Sequence, residues 1–333
     1  MPDAYLHIGL PKTGTTFLQR QIFPNIDVSN VREECLEAIV FLAECIDGDL
    51  QRLDWDSAKR ILLDILSDIK PPYLISHEGL VGDVFLGFHN RRDIADFLKF
   101  LFPDAVILIT LRRQDEFIES IYTQLLHTCY SIRFSDFLCR NEDQSFPPLN
   151  IRWAYAGLTP RLYLNALDWS VLIKEFERAF GCDRIEVSLY EDLREDPVYY
   201  LTKMSESLGV PTYIPKTISR ENVSYSNLSA HIALFLNRFI HSSHNKSGFI
   251  FNKPFSNWLS RYKDKNIAIY ILWGISSRLD IRYLLQNIVN RIPSRTFQPI
   301  TAKQRHDILA FYADSNAQID RTFSLDMKRH GYY

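Results

Sequence analysis

Cysteines are scarce in this chain: five in 333 residues, Cys35, Cys45, Cys129, Cys139 and Cys182, with no CxxC pair and no metal-ligand spacing. An odd, scattered set excludes a disulfide framework and a zinc ribbon, and it fits reduced thiols in a cytosol. The opening stretch MPDAYLHIG has no basic n-region and no long apolar run, so no signal peptide is expected. Nor does any apolar stretch reach the about 20 residues that span a bilayer. The best candidate, IAIYILWGIS at 267–276, reads as a buried helix. These absences predict a cytoplasmic address. Excess charge of one sign is missing too, with a formal net charge of -2. Nothing therefore draws the whole molecule to nucleic acid, and any anion site has to be local. Internal repeats and low-complexity linkers are absent, so the second half of the chain is expected to pack onto the first.

Apolar material is present in quantity: 46% hydrophobic and 13% aromatic residues are enough for a packed core. AYLHIG reads as a short buried strand closing on glycine, and TTFLQRQIF after it as a helix. Amphipathic helices are expected over 31–46 and 57–69, the second N-capped by Asp56 and stopped by Pro71-Pro72. PYLISHE and AVILITLR read as strands, with the helix RRDIADFLKFLF between them and a helix over 115–127 after them. DWSVLIKEFERAFG is a helix with a terminal glycine, RIEVSLY a fourth strand, and DPVYYLTKMSESLG a helix with early proline and late glycine. From about residue 225 helices follow without strands, and TAKQ at 301–304 forms a capping box. The expected class is α/β: a P-loop-like central parallel sheet flanked by helices, with a mostly helical C-terminal part packed on it.

Between the first strand and the first helix lies HIGLPKTGTTFLQ, residues 7–19. A loop that holds ATP has the form G-x-x-x-x-G-K-[ST], with lysine directly after the second glycine. Gly9 and Gly14 keep that separation and Thr16 takes the final Ser/Thr place. Thr15, however, fills the lysine position, and the lysine is Lys12, two residues before the second glycine. Amides of residues 12–16 and the helix N-terminus can still cradle one phosphate. The displaced cation suits a phosphosulfate anhydride, in which the breaking bond joins sulfur to the oxygen bridging it to phosphate. One cation there neutralises charge on the departing phosphate. A sulfuryl group carries less charge than a terminal phosphoryl group, so magnesium is less needed.

PKTGTTFLQ resembles the 5′-phosphosulfate loop of sulfotransferases that use 3′-phosphoadenosine-5′-phosphosulfate (PAPS). LRRQDEFIESIYTQ is similar to the family's 3′-phosphate clamp, with Arg112 at the strand end, Ser120 eight residues on and Tyr122 two beyond. A guanidinium fork and a helix hydroxyl can reach one phosphate together. Arg113 is the other arginine, one residue short of that spacing. VSLYEDLREDPVYYLTKMSESLGV resembles a third shared segment, whose tyrosine lies against adenine; Tyr190 matches it. The resemblance runs from residue 5 to about 210. The late Arg-Lys-Gly loop of the cytosolic branch has no counterpart beyond a poor one in KRHG at 328–331, and the chain looks closer to bacterial and carbohydrate-directed members. It implies one domain over 1–333, with a PAPS-binding core over 1–210 and a helical acceptor side over 211–333. It further implies PAPS as donor, PAP as product and no metal, with Lys12, Thr13, Gly14, Thr15, Thr16, Arg112, Ser120 and Tyr190 holding the nucleotide.

Transfer to an alcohol needs a base near the hydroxyl. LISHEGL offers His77 and Glu78 at the end of the second strand, where neighbours point to opposite faces. Aligned on the family's pattern, Glu78 takes the base position, and His77 is the second candidate. Lys12, Glu78 and Arg112 then all fall at the C-terminal ends of expected strands, the edge where open parallel sheets bind ligands. The implied reaction is sulfuryl transfer to a hydroxyl of a carbohydrate or glycolipid. A P-loop kinase and a non-catalytic PAP- or polysaccharide-binding protein remain as alternatives. Segment 261–295 carries seven basic residues against two acidic. It fits an anionic glycan, peripheral contact with a membrane bearing a lipid-linked sugar, or simply a solvated helix pair. No nucleic-acid partner is expected, and oligomeric state is not legible.

Overall fold

The computed structural model describes residues 2–141, 145–147, 160–218, 225–242, 245–250 and 281–333. Its strand residues alternate between two apolar layers, as the period of two requires. Ala4, Leu6, Ile75, Ile107 and Ile109 turn to one layer, while Tyr5, Leu74 and Leu108 turn to the other. With both faces buried, the strands read as continuous apolar runs, the mark of a parallel sheet. The strands are β1 (Ala4–His7), β2 (Ser29–Asn30), β3 (Tyr73–Ser76), β4 (Val106–Leu111) and β5 (Ile185–Leu189). All pair in parallel, in the order β2-β3-β1-β4-β5.

Helices cover both faces. The chain enters α1 (Thr15–Phe17), which continues as a π-helical turn over Leu18–Ile22, then α2 (Val31–Glu34), α3 (Leu36–Asp47), α4 (Trp55–Ile65), α5 (Arg91–Leu101), α6 (Gln114–His127) and α7 (Phe134–Phe137). After α8 (Trp169–Phe180) come α9 (Tyr190–Glu195), α10 (Pro197–Leu208), α11 (Asn227–Leu236), α12 (Ile281–Asn287) and α13 (Ala302–Phe323). Apolar residues of α3, α4, α5, α6, α8 and α13 form the larger layer, among them Leu42, Leu62, Leu98, Phe117, Phe176 and Ile308. Phe17, Leu18 and Ile22 join Leu193 of α9 and Leu201 and Leu208 of α10 in the smaller one. Each such side chain contributes about 1.5–3 kcal/mol on burial. A polar tie such as Tyr5 Oη to the Leu208 carbonyl (2.9 Å) contributes about 1 kcal/mol. The apolar layers therefore carry the stability, and the polar ties set orientation.

Several expected boundaries shift. Asp54, not Asp56, caps α4, its carboxylate accepting from the Ser57 amide at 3.1 Å. The helix expected over 31–46 is two helices, broken where Cys35 takes φ −151°, ψ 87°. The two-residue edge strand β2 was not expected, being too short for an alternation to show. Tyr190 opens α9 instead of closing a strand. The expected capping box is present at α13, between Thr301 and Gln304. That helix docks on α6 through a buried amide pair, Gln114 and Asn316, with contacts of 2.8 and 3.1 Å. Residues 267–276 and 261–280 of the basic segment lie outside the described residues. Among those described, no helix is long and apolar enough to cross a membrane. None of the five cysteines is joined to another in a disulfide.

Candidate functional site

The loop after β1 bends on glycine. Gly9 has φ +50° and Gly14 φ +84°, and a Cβ on either would stand 2.6 Å from a neighbour: Thr15 Cγ2 for Gly9, Leu193 Cδ2 for Gly14. Lys12 also takes a left-handed φ of 69°, which costs a non-glycine residue about 1–2 kcal/mol. That conformation is held from both ends of the residue. Arg112 Nη1 donates to the Lys12 carbonyl at 2.9 Å, and Lys12 Nζ donates to Gln124 Oε1 at 3.2 Å. Burial pushes the ammonium's pKa down, and Arg112 and Arg282 push the same way against Glu78. The Thr13 hydroxyl is committed to the Leu10 carbonyl at 2.6 Å, so this residue can offer a ligand only its amide. Gly14, Thr15 and Thr16 line the cavity beside Lys12.

At the end of β3 the two base candidates part. Glu78 faces the cavity and accepts a hydrogen bond from Thr15 Oγ1. His77 does not line it; its Nδ1 accepts from the Gly79 amide at 3.1 Å, and burial, with Arg32 adding, lowers its pKa. At the end of β4 the Arg112 carbonyl accepts from Trp169 Nε1 at 3.0 Å, which fixes the backbone there. Its guanidinium lies 4.6 Å from the Tyr190 ring centroid, and its Nε has no hydrogen-bond partner although shielded from water. Ser120 lines the same cavity. Arg113 is occupied by protein: Nε on Asp115 at 2.7 Å, Nη2 on Glu116 at 3.2 Å and Nη1 on the His330 carbonyl at 2.8 Å. Thus Lys12, Glu78, Arg112, Ser120 and Tyr190 line one cavity at the C-terminal edge of the sheet, and His77 and the Thr13 hydroxyl do not share it.

Other residues belong to this cavity without having been singled out. Glu116 contacts Arg112 (3.5 Å), Arg113 (3.2 Å) and Arg194 (2.7 Å). Burial works to raise its pKa and is outweighed by those three guanidinium groups. Arg305 of α13 bonds Asp115, and also Glu119 at 2.9 Å. Burial, reinforced by Glu116, pushes Glu119 up to about 7. Four arginines are therefore interleaved with three carboxylates around the start of α6. A readable signal existed for part of this. Residues 116, 120 and 124, and again 119, 123 and 127, are polar at a spacing of four on a helix whose other residues are mainly apolar, which marks a cavity-facing stripe. The KRHG stretch sends no side chain into the cavity; the His330 ring binds Asp192 at 2.8 Å instead.

The cavity measures about 1450 Å³, more than the about 300–1,000 Å³ of a single small-molecule site. Among the described residues, no three His, Cys, Asp or Glu side chains converge as a metal-binding group.

No family model and no curated protein sequence matches this chain. Among solved structures it is similar to a sulfotransferase from Alicyclobacillus acidocaldarius, at 14% identity over 84% of this chain and 97% of that one, with a TM-score of 0.42. The sulfotransferase domain of the curacin biosynthetic pathway aligns at 13% identity over 65% of this chain and 76% of that one, TM-score 0.34. The sulfotransferase domain of the Synechococcus PCC 7002 olefin synthase aligns at 14% over 94% and 95%, TM-score 0.33. At values this low the functional assignment rests on the side chains, not on these likenesses.

Proposed function

We propose that this chain is a PAPS-dependent O-sulfotransferase. One observation carries the reading: Lys12, Glu78 and Arg112 follow three adjacent parallel strands, β1, β3 and β4, into one cavity. The residues fit the nucleotide. A Gly-bent loop leaves room for backbone to approach a 5′-phosphate, and the unpartnered Nε of Arg112 with the Ser120 hydroxyl suits a 3′-phosphate. Tyr190 offers a ring for adenine, beside the Arg112 guanidinium.

The donor would supply a sulfuryl group on a phosphosulfate anhydride. Glu78, oriented by the Thr15 hydroxyl, takes the acceptor's proton as the acceptor oxygen bonds to sulfur. Lys12 sits on the bridging oxygen as the sulfur–oxygen bond to it breaks, and PAP leaves with that electron pair. The acceptor is a hydroxyl of a carbohydrate or glycolipid, a reading supported by a wall that includes Phe85, Tyr225 and Phe297. A cytoplasmic location belongs to the same proposal.

Thermal shift with PAP, AMP and ATP–magnesium tests the class, and transfer of labelled sulfate from PAPS into a glycan and lipid panel tests the reaction. Stabilisation by PAP above both other nucleotides is expected. A preference for ATP–magnesium would favour a kinase, and PAP binding with no transfer to any acceptor would favour a non-catalytic binder.

A further inference from the structure

Two side chains outside the cavity grip the peptide unit that joins Arg112 to Arg113. Its carbonyl, that of Arg112, accepts from Trp169 Nε1 at 3.0 Å, and its N–H, that of Arg113, donates to Glu191 Oε1 at 3.0 Å. A peptide unit is planar, so bonds at both its ends fix its rotation. They thereby set the direction in which the Arg112 side chain leaves the backbone. Trp169 and Glu191 are fully buried, and neither lines the cavity. Glu191 directly follows Tyr190, whose ring lies 4.6 Å from the Arg112 guanidinium.

Glu191 is held in its turn. A carboxyl group taken out of water needs its oxygens satisfied by protein. One oxygen takes the Arg113 amide, and the other accepts from Tyr332 Oη at 2.8 Å. Tyr332 is fully buried as well. Burial, with Glu191 adding, holds its phenol well above the usual range, so the hydroxyl stays a donor.

Segment 327–333 is locked where Tyr332 can make this bond. The Tyr332 amide donates to the Met327 carbonyl at 3.2 Å, closing a tight loop, and Asn316 Nδ2 of α13 donates to the Tyr332 carbonyl at 3.2 Å. Arg113 Nη1 donates to the His330 carbonyl at 2.8 Å. Gly331 has φ +72°, and a Cβ there would stand 3.3 Å from that same Nη1, so the loop lies directly against Arg113. Asn316 also pairs with Gln114, which ties the residue after Arg113 to the same support. Tyr333 points elsewhere: it is exposed, and its hydroxyl donates to Asp320 at 2.7 Å.

We propose that Glu191 and Tyr332 are positioning residues for recognition of the 3′-phosphate, holding the Arg112–Arg113 peptide so that the Arg112 guanidinium stays aimed at that group. This rests on the sulfotransferase reading and extends its donor site to two side chains that touch no ligand. Linkage runs both ways, so a ligand that depends on this alignment also steadies the segment that supplies it.

Calorimetry with PAP and AMP on the full chain tests it. Tyr332→Phe keeps the ring and removes the hydroxyl; it should weaken PAP about 3- to 30-fold and AMP less than about twofold, while Tyr333→Phe leaves both unchanged. Glu191→Ala should show the same selectivity, and Glu191→Gln, which can still accept from the Arg113 amide, should lose less. In an Arg112→Ala background Tyr332→Phe should have no further effect on PAP, because its effect passes through Arg112. Unchanged PAP affinity, equal weakening of PAP and AMP, or a full effect in that background overturns the proposal. Should Tyr332→Phe fail to fold, hydrogen exchange on the wild-type chain decides. Saturating PAP should slow the amides of 327–333 more than saturating AMP does, and equal protection by the two overturns it. A wild-type chain that does not bind PAP at all overturns the sulfotransferase reading, and this proposal with it.

Discussion

If the proposed function holds, truncating Arg112 to alanine should separate recognition of the 3′-phosphate from recognition of the rest of the nucleotide. The guanidinium now makes a 2.9 Å bond to the Lys12 carbonyl and a 3.5 Å contact to Glu116, and its Nε has no partner. A 3′-phosphate would engage that Nε and displace the weak Glu116 contact. One charge-assisted bond is worth about 1.5–3 kcal/mol. At about 1.4 kcal/mol per tenfold, its loss should weaken PAP by roughly 10- to 150-fold. AMP lacks the 3′-phosphate and should feel only the loosened Lys12 carbonyl, a change of about two- to threefold, less than the about 1 kcal/mol of an ordinary hydrogen bond. Calorimetry with both nucleotides on both proteins gives the coupling directly. Ser120→Ala should show the same selectivity at smaller size. If Arg112→Ala weakens PAP and AMP equally, Arg112 supports the loop and does not read the 3′-phosphate.

Three other outcomes follow from the same geometry. Lys12→Ala should lower turnover by about 10²–10³, the size seen when one donor to a developing anion is removed, with PAP affinity falling much less; a fully active variant would end the assignment of Lys12. Glu78→Gln should cost about 10²–10⁴ in kcat while His77→Gln stays near wild type, and the opposite pattern in a steady-state assay would move the base to His77. The fold should also be acid-sensitive through His7, which is buried on β1, hydrogen-bonded to Ser76 Oγ at 2.8 Å and pushed down to about 4 by burial. Its folded pKa lies below the unfolded one, so its contribution is whole above about pH 6.5 and is lost as pH falls toward 4. That loss is on the order of 3 kcal/mol. Urea unfolding at pH 7 and pH 4.5 should show a smaller acid loss for His7→Gln, and parallel losses in the two proteins would refute it.

What the sequence revealed of this site is what is local in the chain. The Gly9–Gly14 loop, the Arg112–Ser120 spacing and Glu78 just after β3 each sit within a few residues of a strand end. In a parallel sheet, strand ends bring such segments to one edge, and strand–helix alternation was enough to foresee that. Arg305 was invisible because it stands 190 positions from its partner Asp115, and no local pattern on α13 announces a guanidinium aimed at another helix. Tyr225 and Arg282 were missed for the same reason, since their placement depends on side-chain ties between α11 and Asn290. Helix ends were the weaker local readings. Asp54 and Asp56 are both good caps by type, and only the backbone turn at Asp54 decides between them.

The alternation of guanidinium and carboxylate around Glu116 has a thermodynamic consequence. A dianion entering there meets cations that already have counter-ions, so it exchanges one set of partners for another instead of filling an electropositive hole. Its affinity becomes a difference between two sets of ionic contacts, which only correct geometry makes favourable. Stray anions of the wrong shape gain little from the exchange, and a protein of almost no net charge can keep an anion-binding cavity without becoming a general polyanion trap.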